Sequence, residues 1–254
     1  MGKQRRQNMD CLVDFANDQL FNTKSTDRLY QSFDQLQNYY YDCIMGQSVV
    51  MVDACAGTGK TTIAVMAGLE LLRQGNKFSK IIYIRFPDDR QQKLGFLPGD
   101  QLEKEANLMK PFYGACIDCG IQPEGVDRLR ENGVIELSTD IDKRGVNIRN
   151  AVVIIDEAQN GDLESLRLIL TRVHDLNCKC IVIGHSGQMD SNIKTICGFN
   201  PFQVYQYHMA KKDWCSICEL KKNYRGEISR WADSIEESIK ELKEMQNIPL
   251  TNEE

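Results

Sequence analysis

Between two apolar runs lies the stretch Ala54-Cys55-Ala56-Gly57-Thr58-Gly59-Lys60-Thr61, with Thr62 directly behind it. Its two inner glycines can take backbone angles that turn successive N–H groups toward one point, which makes an anion nest. A helix opening at Lys60-Thr61 would add the partial positive charge of its N-terminus. Lys60 then brings a full charge to the β- and γ-phosphates of a nucleoside triphosphate, and the Thr61 hydroxyl offers a ligand for Mg2+. The spacing is A-x-x-x-x-G-K-T, a Walker A loop with alanine for its first glycine. The competing reading is a chance Gly-rich turn ahead of a helix. The loop reading makes Cys55, Ala56, Gly57, Thr58, Gly59, Lys60, Thr61 and Thr62 the nucleotide contacts.

Hydrolysis needs more than a cradle. In "AVVIIDEAQN" the apolar run ends on Asp156 and Glu157. Asp156 can hold Mg2+ opposite Thr61, through water, and Glu157 can orient and deprotonate an attacking water. An acidic helix cap is the bland alternative for this pair. A general base beside the phosphates favours hydrolysis over transfer to a small molecule.

Both motifs require strands that end at the same edge of a sheet. Short, β-branched-rich runs recur as "SVVMVDA", "KIIYIRF", "GVIELST", "AVVIIDE" and "KCIVIGH". They are apolar throughout rather than alternating, as strands buried on both faces must be. Helical patterns lie between most of them. "TTIAVMAGLELLRQG" closes on Gly75, a plausible residue just past a helix end. "DLESLRLILTRVHDL" puts Leu163, Leu166, Leu170 and Val173 on one stripe, with Asp162 near its start. "EISRWADSIEESIKELKEM" spaces Ile228, Trp231, Ile235, Ile239 and Leu242 by three and four, which predicts one amphipathic closing helix. The alternation predicts an α/β fold with a mostly parallel sheet and helices on both faces. It reads as one domain over residues 31–240, after a helical lead-in (1–30) and before a polar tail (241–254).

A chain of 254 residues can bury a sizeable core. No run of about 20 apolar residues is present, so no membrane helix is expected. The start lacks the apolar segment of a secretory signal, and Arg6 stands where myristoylation of Gly2 would want Ser or Thr. A soluble, cytoplasmic protein is the expectation. Of the ten cysteines, two pairs stand apart: Cys116 with Cys119, and Cys215 with Cys218. They fit buried reduced thiols, a four-thiolate zinc site, or a redox motif in the second pair. A net charge of −5 argues against whole-surface attraction to nucleic acid but leaves room for a local basic groove. Lys211, Lys212, Lys221 and Lys222 are the candidates for phosphate contact, against a reading as plain solvated surface.

The segments "ACAGTGKT", "IRFPDDRQQKLGFLPGDQLEKEANLMKPFY", "KRGVNIRNAVVIIDEAQN" and "GHSGQMD" together resemble the PhoH family, a group of P-loop ATPases related to superfamily 1 helicases. The likeness runs from about Gln37 to Asp190. It implies a RecA-like P-loop fold, ATP and Mg2+ as ligands and a cytoplasmic location, that of the host for a phage-encoded member. Gln37 matches a glutamine that would read the adenine edge, against a solvated surface role. Gln188 matches one that would touch the γ-phosphate, and Arg85 and Arg144 match arginines of the nucleotide face or of an oligomer contact. The family usually has Gly-Asp ahead of that glutamine, whereas this chain has Gly184-His185. It also has "RFP" where the family has "RP", which displaces Arg85 relative to Pro87. Near the end, "NYR" is similar to a helicase motif: Tyr224 would stack on adenine and Arg225 would reach the γ-phosphate, with Arg230 as the alternative finger. A lone RecA-like domain implies either ATP turnover without stepping or neighbouring copies that close each other's sites, as in a ring such as a hexamer. The implied work is remodelling of RNA or single strands. The alternative is a nucleotide-dependent regulatory or interaction protein with slow hydrolysis.

Overall fold

The computed structural model describes residues 23–75, 77–87, 101–138, 147–174, 177–187 and 193–246. Helices α1 (Thr23–Gln31) and α2 (Gln35–Gly46) lead into strand β1 (Val49–Ala54), and α3 (Lys60–Arg73) returns to β2 (Lys80–Arg85). Next come α4 (Gln101–Asp118), α5 (Pro123–Glu131) and β3 (Ile135–Ser138), then β4 (Ala151–Asp156) with a 3-10 turn at Ala158–Asn160. The remainder is α6 (Leu163–Leu170), β5 (Cys178–Gly184), α7 (Pro201–Met209), β6 (Cys215–Leu220), α8 (Glu227–Asp233) and α9 (Ile235–Gln246).

The six strands form one sheet in the order β3-β2-β4-β5-β1-β6, and every pairing in it is parallel. This is the architecture expected of a RecA-like P-loop domain. The all-apolar runs explain the layout: β4 and β5 are buried at every residue, while the edge strand β6 is buried only at Cys218 and Leu220. One apolar layer joins α2, α3, α4 and α5 to one face of the sheet, with Tyr40, Met66, Leu69, Tyr83 and Phe112 at its centre. A second layer, with Phe86, Leu166, Ile169 and Phe202, covers the other face. Because the strands are parallel, all their carboxyl ends lie along one edge, and the loops after β1, β4 and β5 meet there.

Lys179 is a charge inside the buried run of β5. Its ammonium donates to the carbonyls of Ile44, Met45 and Gln47, where the last turn of α2 leaves acceptors without helical partners. The sequence pattern makes the lysine look misplaced; the neighbouring helix end accounts for it.

Two helices differ from the sequence reading. The pattern across Asp162–Val173 gives only the short α6, capped by Asp162 through the Ser165 N–H at 2.7 Å. Val173 lies beyond it and bridges to Ile148 as a short parallel extension of the sheet. The closing segment is two helices broken at Ser234, and the second continues to Gln246, past the start of the predicted polar tail. Among the described residues nothing covers the apolar stripe of this pair: Ile228 and Trp231 of α8 are 89% and 79% exposed, and Ile235, Ile239, Leu242 and Met245 of α9 are exposed too. Periodicity shows that a helix has an apolar face, not what covers that face.

Candidate functional site

The loop between β1 and α3 has the backbone that its sequence demands. Gly57 and Gly59 sit at φ +76° and +80°, in the left-handed region that a side chain disfavours. A Cβ at Gly57 would lie 2.4 Å from Asn223 Oδ1 and 2.9 Å from Arg225 Cγ, so the segment after β6 closes directly over the loop. The Tyr224 N–H donates to the Gly57 carbonyl at 2.8 Å. Thr58 is buried, and its hydroxyl donates to the Cys55 carbonyl at 3.1 Å. Cys55, Ala56, Gly57, Gly59, Lys60, Thr61 and Thr62 are all half-buried, at the surface of the cradle. Lys60 opens α3, and its ammonium lies 3.2 Å from the Ala54 carbonyl and 3.5 Å from that of Cys55.

Gln37 is brought to this loop, in a role that sequence reasoning did not assign. It is buried, its Nε2 donates to the Thr58 carbonyl at 3.0 Å, and its Oε1 accepts the Asp34 N–H at 3.0 Å. Asp34 in turn accepts the Gln37 N–H at 2.8 Å, a reciprocal cap on α2. Tyr224 is half-exposed and donates through its hydroxyl to Asp34 Oδ2 at 2.6 Å, with the Lys222 ammonium 4.7 Å from its ring centre. The cap of α2 therefore ties the NYR segment and the phosphate loop into one wall.

The second motif faces the first. Asp156, 1% exposed, accepts the Thr61 hydroxyl at 3.1 Å and the Tyr83 hydroxyl at 2.6 Å on Oδ2, and the Glu157 N–H at 3.0 Å on Oδ1. None of these donors carries charge. Burial, and then the neighbouring Glu157, push the Asp156 carboxyl above its ordinary range, against the Tyr83 bond and the charges of Lys60 and Arg85. A buried carboxylate beside a threonine hydroxyl, with oxygen donors converging, suits a hard divalent cation. Bound there, the cation would offset the electrostatic cost that raises this carboxyl. Asp156 and Thr61 thus fit Mg2+, and Tyr83 orients the carboxylate from behind.

Glu157 sits at φ +54°, an uncommon angle for a residue with a side chain. The turn carries it off the end of β4, so the two adjacent acids need not point to opposite faces. Its Oε2 accepts Gln159 Nε2 at 2.7 Å, and Arg85 Nη2 lies 3.9 Å from its Oε1. Gln159 Oε1 accepts the His185 N–H at 3.1 Å. His185 faces Asp53 of β1, Nδ1 to Oδ1 at 3.4 Å, and the same oxygen accepts the Ser186 N–H at 2.9 Å. Burial works to raise the Asp53 carboxyl, but the bonds from His185 and Ser186 outweigh it and hold it below the usual range. Thus the position where the family usually has an aspartate carries an imidazole that meets an aspartate from the next strand.

Tyr83, Gln159, Asn223 and Asp53 were not singled out from sequence. Two of them lie inside motifs quoted from the sequence, Gln159 in "DEAQ", two residues past Glu157, and Asn223 in "NYR". Gln188 and Arg144 lie outside the described residues, as does all of the "KLGFLPGD" segment. Arg225 stands over Gly57, whereas Arg230 is exposed on α8. The four lysines do not share a patch. Lys211 and Lys212 precede β6, Lys221 and Lys222 follow it, and Lys221 pairs with Glu219 at 3.1 Å. Cys116 and Cys119 are core thiols that burial pushes up, Cys119 to about 12, as it does for Cys215 and Cys218. Among the described residues no three His, Cys, Asp or Glu side chains gather as metal ligands, so the four-thiolate site is not formed.

A family model described as PhoH-like protein matches residues 31–235. A PhoH-like protein of Synechocystis sp. is 36% identical over 154 residues, 61% of this chain and 46% of that protein. One from Bacillus subtilis is 35% identical over 154 residues, covering 61% and 47%. Protein PhoH of Escherichia coli is 32% identical over 161 residues, covering 61% and 44%. The match thus spans under half the length of these curated relatives. The crystal structure of Pif1 helicase from Candida albicans aligns with 79% of this chain and 42% of its own at a TM-score of 0.41 and 14% identity, too distant to carry an argument. No helix among the described residues is long and apolar enough to cross a membrane.

Proposed function

Since the chain belongs to the PhoH-like protein family, we propose that it binds ATP with Mg2+, hydrolyses it, and couples the turnover to remodelling of RNA or single strands as a homo-oligomer. The observation that carries this reading is the meeting of Thr61 and Asp156 at 3.1 Å, with Glu157 next in the chain. That pair joins a phosphate cradle to a carboxylate centre, which a mere anion nest would not need. The chain's own residues divide the work. Backbone N–H groups of the loop and Lys60 bind and screen the triphosphate; Thr61 and Asp156 would hold Mg2+, which supplies charge neutralisation on the phosphate oxygens. Glu157 takes a proton from the attacking water, and Gln188 and Arg225 or Arg230 face the γ-phosphate. The Tyr224 ring and the wall around Gln37 form the base side of the cleft.

The nucleic-acid part draws on Lys221 and Lys222, which leave β6 beside the cleft, and on family likeness. ATP turnover is measured with and without single-stranded RNA over a range of salt. Stimulation that fades as salt rises is the expected result, since each phosphate contact releases counterions. Indifference to RNA at every salt, with ATP still changing particle size, leaves the regulatory reading in its place.

Assembly draws on the uncovered stripe of α8 and α9. At 100° per residue Ile235, Ile239 and Leu242 fall on one side of α9. Light scattering is expected to find more than one chain per particle, and Trp231→Glu with Leu242→Glu to reduce it toward one. An unchanged particle mass in the double variant would place the contact elsewhere. A cytoplasmic location completes the proposal.

A further inference from the structure

Resting on the reading of Glu157 as the group that activates water, we infer that Gln159, His185 and Asp53 form a hydrogen-bonded relay that positions the Glu157 carboxylate relative to the phosphate loop. Glu157 leaves β4, His185 leaves β5, and Asp53 is the last residue but one of β1, with β5 lying between the other two strands. The parallel register sets Asp53 level with Gly184, so its carboxylate stands beside the first turn after β5. One residue further along β1, the phosphate loop begins.

Gln159 is 2% exposed and uses both ends of its carboxamide. Nε2 donates to Glu157 Oε2 at 2.7 Å, and Oε1 accepts the His185 N–H at 3.1 Å. The opposite amide orientation would set oxygen against the carboxylate and N–H against N–H, so the neighbours fix which way it points. His185 is gripped again through its ring, where Nδ1 lies 3.4 Å from Asp53 Oδ1. A carboxylate can only accept, so the ring nitrogen facing it carries a proton. Asp53 also takes the Ser186 N–H at 2.9 Å, and the buried Asn200 backs that turn through Nδ2 to the Ser186 carbonyl at 3.4 Å.

The relay has a physical purpose. A glutamate at the head of a turn has three side-chain torsions to order, and freezing them costs conformational entropy. Gln159 ties Glu157 Oε2, and Glu157 Oε1, with Arg85 Nη2 3.9 Å away, is the oxygen that would receive the proton. Because the tie continues through the β5 turn to Asp53, the base is referenced to the strand that carries the phosphates. Gln159, His185 and Asp53 are positioning residues.

The test uses the full chain with Mg2+ and ATP, and a fluorescent ATP analogue for binding. Gln159→Leu, His185→Phe and Asp53→Leu are each expected to lower kcat by ~10–10²-fold, the span of a small misplacement of a reacting group. Analogue Kd and KM should stay close to wild type. His185→Asn should recover most of the loss, since its amide nitrogen occupies the place of Nδ1. In a Glu157→Gln background the same substitutions should cost nothing further, because residues acting as a unit are not additive. An equal loss in both backgrounds overturns the relay, as does wild-type kcat in Gln159→Leu and His185→Phe. Should Gln159→Leu or Asp53→Leu fail to fold, the comparison of His185→Phe with His185→Asn decides alone. Wild-type protein without turnover, or turnover that Glu157→Gln leaves intact, overturns the reading of Glu157 and the relay with it. Intact turnover in the relay variants beside a loss in Glu157→Gln overturns the relay only.

Discussion

Lys60→Ala is expected to abolish nucleotide binding at working concentrations while leaving the fold in place. The ammonium is the one full positive charge that the loop itself supplies, and it opens α3 beside carbonyls of its own loop. Losing a charged partner from a partly desolvated phosphate site costs about 2–5 kcal/mol, roughly 30- to 5,000-fold in affinity. The effect on stability should be modest, because two terms oppose each other. A cation at a helix N-terminus works against the helix dipole by about 0.3–1 kcal/mol, so its removal helps. The bonds to the Ala54 and Cys55 carbonyls are lost, at about 0.5–1.5 kcal/mol each when well formed. Titration with a fluorescent ATP analogue, alongside a thermal melt, separates the two. Wild-type affinity in Lys60→Ala would mean that the loop is a turn and not a cradle; lost affinity together with a collapsed melting temperature would mean that Lys60 is structural.

What sequence could read here was whatever depends on local pattern. Apolar runs without alternation gave strands buried on both faces, and Gly57, Gly59, Lys60 and Thr61 gave a loop whose backbone angles follow from residue type. Asp156 and Glu157 were legible because both sit where an apolar run stops. The residues that hold these groups in place were not, and the reason is register. Tyr83 meets Asp156 only because β2 lies beside β4 in a parallel pairing that sets Arg85 opposite Asp156. Asp53 meets His185 only because β5 was inserted next to β1, more than a hundred residues later in the chain. Neither adjacency leaves a mark within either segment. Gln37 makes the same point in reverse. Its D-x-x-Q spacing from Asp34 carries a capping signature, which the structure bears out as a reciprocal cap on α2. In the structure the carboxamide braces Thr58, so any contact with adenine must use the hydrogen and lone pair that remain.

Glu157→Gln should separate binding from chemistry. Gln is isosteric, still tolerates the position at φ +54° about as well as Glu, and keeps an oxygen that can accept from Gln159. What it lacks is the capacity to take a proton, so nucleotide affinity should persist while hydrolysis falls by ~10²–10⁴-fold, the span of a general base. Electrostatics adds a second expectation. The Glu157 charge is one of the two main influences raising the neighbouring Asp156 carboxyl, after burial. Neutralising it leaves Asp156 easier to ionise, but it also removes a negative charge that would attract Mg2+. The two effects oppose each other, so the Mg2+ dependence of nucleotide binding should not shift to lower metal concentration in the variant, even as turnover drops. Single-turnover hydrolysis and a Mg2+ titration of analogue binding read the two effects independently. Loss of turnover with weaker Mg2+ dependence fits a disordered site rather than a missing base, and wild-type turnover would show that the proton goes to another group.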